Sequence, residues 1–355
     1  MNNRLKIWLL VALVASCKHE VGRYAVPEFR EEVTTNVTLI SGELPGMNSV
    51  NDMWVYGDKI VLVSYVPNTK KCVHIYDKST GDCLLDVIGQ GNGPKEVLNG
   101  CRDAVFQDGT LLLYEKSKRQ LLRMQVDSLL KHGLDAVQVE DFSCPRWCCF
   151  HAPLADSADI VIRSISEMSK DTSSLRRIEV VKGQEVLSGH DWYPVEGAAE
   201  RFVMGNNAGY ALSSSRDHLV IASTLGAILE TYSLVPRIKR DTVRYFIEPR
   251  FTVKAAGTYD YAEDFHYGFG DVFATDARIF TSFDGSTDMK QYMQARAGDQ
   301  EMLFSKIAVF DWNGDGVKLF RTDYQIEQLC CDESSGIIYL VARDRDGGLY
   351  LGKVQ

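Results

Sequence analysis

Apolar positions along this chain recur in short runs that alternate with polar ones and stop at turns rich in Gly, Asp and Asn, the period of strands and not of helices. Met53 to Tyr56 and Lys59 to Tyr65 flank Gly57-Asp58, a tight hairpin signal, and Val73 to Tyr76 and Cys83 to Ile88 flank a longer turn from Asp77 to Gly81. Together they predict a four-stranded antiparallel unit. A later copy of its second half is Ile307 to Phe310, a turn from Asp311 to Gly316, and Val317 to Phe320. The first apolar residues of successive second strands, Ile60, Leu111, Ile160, Leu219, Ile279 and Ile337, lie 51, 49, 59, 60 and 58 positions apart by subtraction. This is the period of a propeller blade, longer than that of helical repeats. No segment reads as a long amphipathic helix, although Ser128-Leu129-Leu130 breaks the alternation and predicts a short one from Val126 to Lys131.

A four-stranded sheet with two apolar faces and two raw edges cannot stand alone, so the copies must stack face to face around an axis. Six units fill the chain. The last, Ile337 to Val341 and Leu349 to Val354, is short of a strand, whereas the chain begins with a spare one at Val33 to Ile40. Pairing the two ends removes an edge. The expected fold is all-β, a six-bladed β-propeller closed by an N-terminal strand on the last blade.

The amino terminus changes the picture from architecture to address. Arg4 and Lys6 precede an apolar run from Ile7 to Ala15, too short for a permanent membrane span and ordered like a secretory signal. Val14-Ala15-Ser16-Cys17 resembles the bacterial lipobox, in which cleavage before the Cys is coupled to acylation of its sulfur, and Lys18 in place of Asp resembles lipoproteins sent to the outer membrane. The expected organisation is a signal peptide over 1–16, a tether over 17–30 and a propeller over 31–355, anchored by a lipid such as palmitate on Cys17 and facing the periplasm or the cell surface. Loss of the first sixteen residues, with two cations and no acids, takes the formal charge from −9 to −11. Phosphate backbones would repel such a surface, so nucleic acid is excluded as a partner, membrane contact is expected through the anchor only, and the chain is expected to be a monomer.

Eight of the nine cysteines remain after the anchor. In the predicted hairpin Cys83 faces about Ile75, out of register with Cys72, and the neighbours Cys148-Cys149 and Cys330-Cys331 point to opposite faces of a strand. Buried thiols, packed as small hydrophobes, are the expectation.

Val87-Ile88-Gly89-Gln90-Gly91-Asn92-Gly93-Pro94-Lys95-Glu96, Gly270-Asp271-Val272-Phe273-Ala274-Thr275 and Phe310-Asp311-Trp312 together resemble the TolB-like six-bladed propeller lipoproteins of Gram-negative bacteria. Lys95 and Val97 stand where that pattern more often has Gly and Phe. The resemblance implies an extracytoplasmic propeller and no particular reaction.

Counting back eight from each anchor gives Asp52, Asp103 and Asp271 in three repeats, and Ala152, Ala211 and Leu329 in the others. On inner strands the three acids would ring one mouth of the channel, where they suit Ca²⁺ or a hydroxyl-rich or cationic ligand; alternatively each caps its own turn. A second candidate is the aromatic and acidic segment that carries Tyr259, Tyr261, His266 and Tyr267, expected above the channel and matched to sugar rings or peptides, or else core filler beneath a loop. His190, Asp191, Trp192 and Tyr193 form a smaller patch of the same kind.

Other constellations have plainer readings. Asp311, Asn313, Asp315 and Gly316 open like a calcium loop, but the twelfth position is Thr322, and a hairpin turn explains them. Gly89, Gly91 and Gly93 lack the spacing of a phosphate cradle. Cys144, Cys148, Cys149 and His151 make a poor zinc set because adjacent strand residues diverge. The expected function is a lipid-anchored binding module for a glycan, peptide or partner protein. The alternatives are a metal-dependent hydrolase or lactonase whose channel carboxylates hold the ion, or a polysaccharide lyase with His266 or Tyr267 as base.

Overall fold

Every predicted hairpin closes, because each run of buried β-branched and aliphatic residues is bounded by residues that tolerate the turn: Gly57, Gly81 and Gly109 all adopt positive φ. The computed structural model describes residues 24–66, 70–98, 104–142, 148–154, 158–163, 176–183, 185–254, 258–285 and 302–355. Cys17 and Asp103, and the segment from Asp288 to Gln300, lie outside them.

Six sheets of four or five strands form the six blades, with one two-stranded sheet beside them. Their inner strands are Asp52–Tyr56, Ala104–Gln107, Cys148–Pro153, Ala208–Leu212, Phe269–Ala274 and Gln325–Asp332. Each blade then continues outward through antiparallel second, third and outer strands. The short helix Val126–His132 follows blade 2's third strand, where the broken alternation predicts it. A second helix, Ala198–Asn206, carries no such signal.

Side chains of a second strand alternate between two neighbours. Ile60 and Leu62 pack toward blade 6, Val61 and Val63 toward blade 2. Leu219 and Ile221 face blade 3, and Val220 and Ala222 face blade 5. This parity corrects the sixth anchor. Ile338, not Ile337, packs back onto blade 5, whereas Ile337 leans the other way. A slip of one residue sends a strand residue to the opposite interface.

The N-terminal segment supplies two strands where the pattern shows one. Phe29–Thr34 adds in parallel to the outer strand Gly316–Arg321 of blade 5, and Thr38–Glu43 becomes the outer strand of blade 6 against Leu349–Val354. The chain changes blades at Thr35–Val37, where the Val37 N–H donates to Asp323 Oδ1 at 2.9 Å. Ahead of these strands, Ala25 N–H bonds the Tyr245 carbonyl at 3.0 Å and Tyr24 meets the Tyr245 ring edge-on at 5.6 Å. Tyr24 and Ala25, within the stretch read as a tether, therefore already pack on blade 4.

The Cys72 and Cys330 side chains are buried, but Cys83 is exposed; it stands opposite Tyr76 and not Ile75, because a bulge shifts the register between Ile75 and Tyr76. Blades 3 and 4 are clamped by a buried fork in which Arg177 Nη1 and Nη2 bond the Glu230 carboxylate at 2.7 and 2.9 Å, with the Tyr232 hydroxyl donating to the same group at 2.6 Å.

Closure of the ring generates a measurable contrast. Leu340→Ala, in the sealed interface between blades 5 and 6, is expected to cost ~2–5 kcal/mol in urea unfolding. Leu39→Ala, on the exposed closing strand, should cost less than ~1 kcal/mol. Equal losses would mean that the closing strand belongs to the core.

Candidate functional site in the axial channel

The cross-strand partners of the six corrected anchors are Val55, Phe106, Ala152, Leu212, Ala274 and Cys331. All six line a cavity of about 470 Å³ on the propeller axis. Three residues upstream of each in the sequence stand Asp52, Asp103, Cys149, Gly209, Asp271 and Gln328, so the three acids share one sequence offset, with Asp103 outside the described residues. Counting back eight fails in blades 3, 4 and 6. There the anchor lies seven or eight residues beyond its partner, instead of five, because the hairpins are longer. The equivalents of the acids are thus Cys149, Gly209 and Gln328, not Ala152, Ala211 and Leu329.

Asp52, Asp271 and Gln328 line the cavity. Asp271 Oδ2 accepts the Leu329 N–H at 2.8 Å, tying blade 5 to the inner strand of blade 6 rather than capping its own turn. Its backbone N–H donates to Ser282 Oγ at 2.9 Å, which fixes the carboxylate's approach. Burial pushes the Asp271 carboxyl up from 3.8 to about 7, against the opposing pull of the Leu329 and Val272 N–H groups.

Aromatic pairs bridge the inner strands of neighbouring blades, and their residues line the cavity. Trp54 stacks on Phe106 at 5.7 Å and 22°, and Phe150 on Tyr210 at 5.8 Å and 29°. Sequence reasoning passed over all four, although Trp54 sits in the strand it read from Met53 to Tyr56. At the hairpin end of the channel the loop from Ser213 to Asp217 arches over several blades. Arg216, held at a φ of 61°, donates to the Pro153 carbonyl of blade 3 and, at 3.2 Å, to the Phe106 carbonyl of blade 2. The Ser215 N–H reaches Asp276 of blade 5 at 2.7 Å, and the Ser214 hydroxyl reaches Glu333 of blade 6.

Tyr259, Tyr261, His266 and Tyr267 do not line this cavity. They belong to an insertion between blades 4 and 5, in which the two-stranded sheet of Phe251–Val253 and Tyr259–Tyr261 packs with helix Ala198–Asn206 over a satellite core centred on the fully buried Phe265. The Tyr259 hydroxyl donates to Asn207 Oδ1 at 3.0 Å, and the Tyr261 and Tyr267 hydroxyls meet at 3.0 Å. Tyr267 bridges to Leu225 and Gly226, in the turn between second and third strands. That turn is at the start of the inner strands, the end opposite the Ser213 to Asp217 loop. Burial pushes the Tyr259 and Tyr261 hydroxyls up to about 12. Tyr261 remains 43% exposed.

The remaining motifs are used locally. The Arg177 guanidinium lies 4.4 Å from the Tyr193 ring centre and that of Arg240 3.8 Å from Trp192, so this patch fastens blades 3 and 4. Asp311 Oδ1 accepts the N–H groups of Asn313 and Asp315 at 3.0 and 3.1 Å, a hairpin turn. Gly93 donates to Glu96 Oε2 at 2.8 Å, and a Cβ at Gly91 would collide with that carboxylate, so the glycine turn cradles the chain's own acid. Among the described residues no three His, Cys, Asp or Glu side chains group to hold a metal ion, and no helix is long and apolar enough to cross a membrane.

Residues 184–334 match the model of the TolB-like 6-blade propeller-like family, and the whole described chain has that six-bladed arrangement. A Bacteroides fragilis protein described as a "putative exported protein" is similar in structure, with a TM-score of 0.55 and 10% identity over 90% of this chain and 88% of that one. A computationally designed protein (TM-score 0.43, 10% identity, 89% of this chain and 100% of that one) and the hydrazine synthase of Kuenenia stuttgartiensis (0.46, 11%, 86% and 76%) are more distant. No curated protein matches the sequence.

The raised Asp271 carboxyl has a definite consequence for stability. The folded chain holds this proton more tightly than the unfolded one, so its contribution is complete below 3.8 and is lost as pH rises through about 7. Asp271→Asn keeps an acceptor for Leu329 and removes the titration. The stability difference between wild type and variant should therefore fall by up to ~1.4 kcal/mol per pH unit across that window, read from urea midpoints. A pH-independent difference would show that the carboxyl is not held away from water.

Proposed function

We propose that this protein is a lipid-anchored binding module of the bacterial envelope that takes a hydroxyl-rich ligand, the end of a glycan chain, into its axial channel. One observation carries the reading: a cavity of about 470 Å³, the size of a small-ligand site, lined by both carboxylates and aromatic rings. Trp54, Phe106, Phe150 and Tyr210 offer apolar edges and faces to sugar C–H groups, and Asp52, Asp271 and Gln328 supply the few polar groups that fix orientation. Asp103, at the same sequence offset as Asp52 and Asp271, is assigned to the same ring. Tyr259, Tyr261, His266 and Tyr267 are given a supporting role, holding the insertion against blade 4.

The envelope address rests on Val14-Ala15-Ser16-Cys17 and agrees with the exported character of the Bacteroides fragilis relative in fold. Acylation at Cys17 would place the propeller close to its membrane. Six residues separate Cys17 from Tyr24, which already packs on blade 4, and the seven steps from one to the other reach at most ~25 Å.

The test is a glycan array with the chain from Lys18 onward, which retains every described residue, followed by calorimetry on a retained glycan with and without a calcium chelator. Asp52→Asn and Phe106→Ala are each expected to weaken binding about tenfold or more, equivalent to ~1.4 kcal/mol, with the chelator having no effect. Unchanged affinity in both variants, or an array with nothing retained, would sink the channel assignment. Labelled palmitate should enter the wild type and not Cys17→Ser.

A further inference from the structure

The outer rim between blades 3 and 4 carries a groove whose chemistry is opposite to that of the chain as a whole. Its wall is formed by the outer strand Glu185–His190 of blade 3 and by residues 237–240 of blade 4. Four of its nine lining residues, Arg176, Arg237, Lys239 and Arg240, are cations, and none is an acid, in a chain of net charge −9. Their own partners satisfy them only in part. Arg176 donates to the Gly189 carbonyl at 3.1 Å, Lys239 approaches Asp241 at 3.4 Å while staying 75% exposed, and Arg237 is exposed.

On two residues of this wall, Arg240 Nη1 and His190 Nε2 are buried and have no hydrogen-bond partner in the protein. A buried donor left unsatisfied is costly, so the chain itself does not answer the Arg240 charge at that nitrogen. Aliphatic side chains stand beside the cations: Leu187 is 50% exposed and Val235 67%. Cations flanked by exposed aliphatics suit a surface with phosphates outside and hydrocarbon beneath.

The position of the groove selects the occupant. Lys239 and Arg240 begin the same outer strand, Lys239–Ile247, on which Tyr24 packs through Tyr245. The groove and the point where the N-terminal segment meets the propeller therefore share one side of the ring. We propose that this basic rim docks on anionic phospholipid headgroups, with lipid phosphates against Arg237, Lys239 and Arg240 and with Leu187 and Val235 at the edge of the acyl layer. The choice of a membrane over an acidic protein segment rests on the Cys17 anchor of the preceding section; the headgroup chemistry does not.

The proposal is tested with the unacylated chain from Lys18 onward, sedimented with vesicles of equal parts phosphatidylglycerol and phosphatidylcholine or of phosphatidylcholine alone. Binding is expected to the anionic vesicles only, to fall with added salt, and to weaken more than about tenfold in Arg237→Glu/Lys239→Glu, since each basic residue near such a surface contributes several-fold in affinity. Both side chains are exposed, so the thermal melt of the double variant should match the wild type. No binding by the wild type, equal binding to both vesicle types, or equal binding by the double variant would overturn the proposal. So would displacement of the protein from anionic vesicles by a short alternating Glu–Leu peptide at lower concentration than the lipid. Failure of Cys17 to take up palmitate would remove the anchor and leave the vesicle result standing, so the two readings fail separately.

Discussion

Everything in this molecule follows from the two-sidedness of its sheets. A second strand such as Lys59–Val66 is buried on both faces, with Ile60 and Leu62 committed to one neighbour and Val61 and Val63 to the other. No blade can be first or last under that condition, and the chain meets it by returning its own beginning to its end. Thr38–Glu43 completes blade 6, whose interface with blade 1 then closes over Leu44, Met47 and Val50 just downstream. The parallel strand Phe29–Thr34 continues the same logic, covering the edge of blade 5 that would otherwise invite another chain.

The repeat was readable because alternation and turn chemistry act over a few residues. Gly57-Asp58 can do little but close a hairpin between Met53 to Tyr56 and the strand that follows. What the pattern cannot carry is the phase of a copy with two adjacent candidates. Ile337 and Ile338 are equally apolar, and only the shape of the two interfaces decides which faces blade 5. The fixed count of eight failed for a related reason. Hairpin length varies from two residues after Tyr56 to five after Pro153, so equal sequence offsets reach unequal depths in the channel. Asp52, Asp103 and Asp271 escaped that error because their blades share one spacing between anchor and partner.

Side-chain chemistry misled where topology decides direction. Tyr259, Tyr261 and Tyr267 form the densest aromatic and acidic stretch in the sequence, and it drew attention for that reason. Its neighbours are set by helix Ala198–Asn206, which the strand pattern did not reveal and whose Phe202 and Val203 turn inward to the same satellite core. The channel aromatics, Trp54, Phe106, Phe150, Tyr210 and Phe273, are scattered singly over five inner strands, far apart in sequence. Trp54 and Phe106 become a stacked pair only when blades 1 and 2 meet. Local density of a residue type measures composition, whereas a site is a convergence, and a ring of repeats converges residues that lie a blade apart.

The two carboxylates of the channel, Asp52 and Asp271, also show that a shared place in the repeat does not mean shared chemistry. Asp52 opens the inner strand of blade 1 and Asp271 lies near the start of that of blade 5, yet burial alone pushes the Asp271 carboxyl up to about 7, against the pull of the Leu329 N–H toward the ionised form. A divalent cation needs ionised oxygens, and its site would have to oppose the burial that keeps a proton on Asp271. A sugar hydroxyl has no such requirement, since it donates to a carboxylate and accepts from a protonated carboxyl equally well. The desolvation that raises Asp271 thus lowers the negative charge of the channel below what a count of its acids gives.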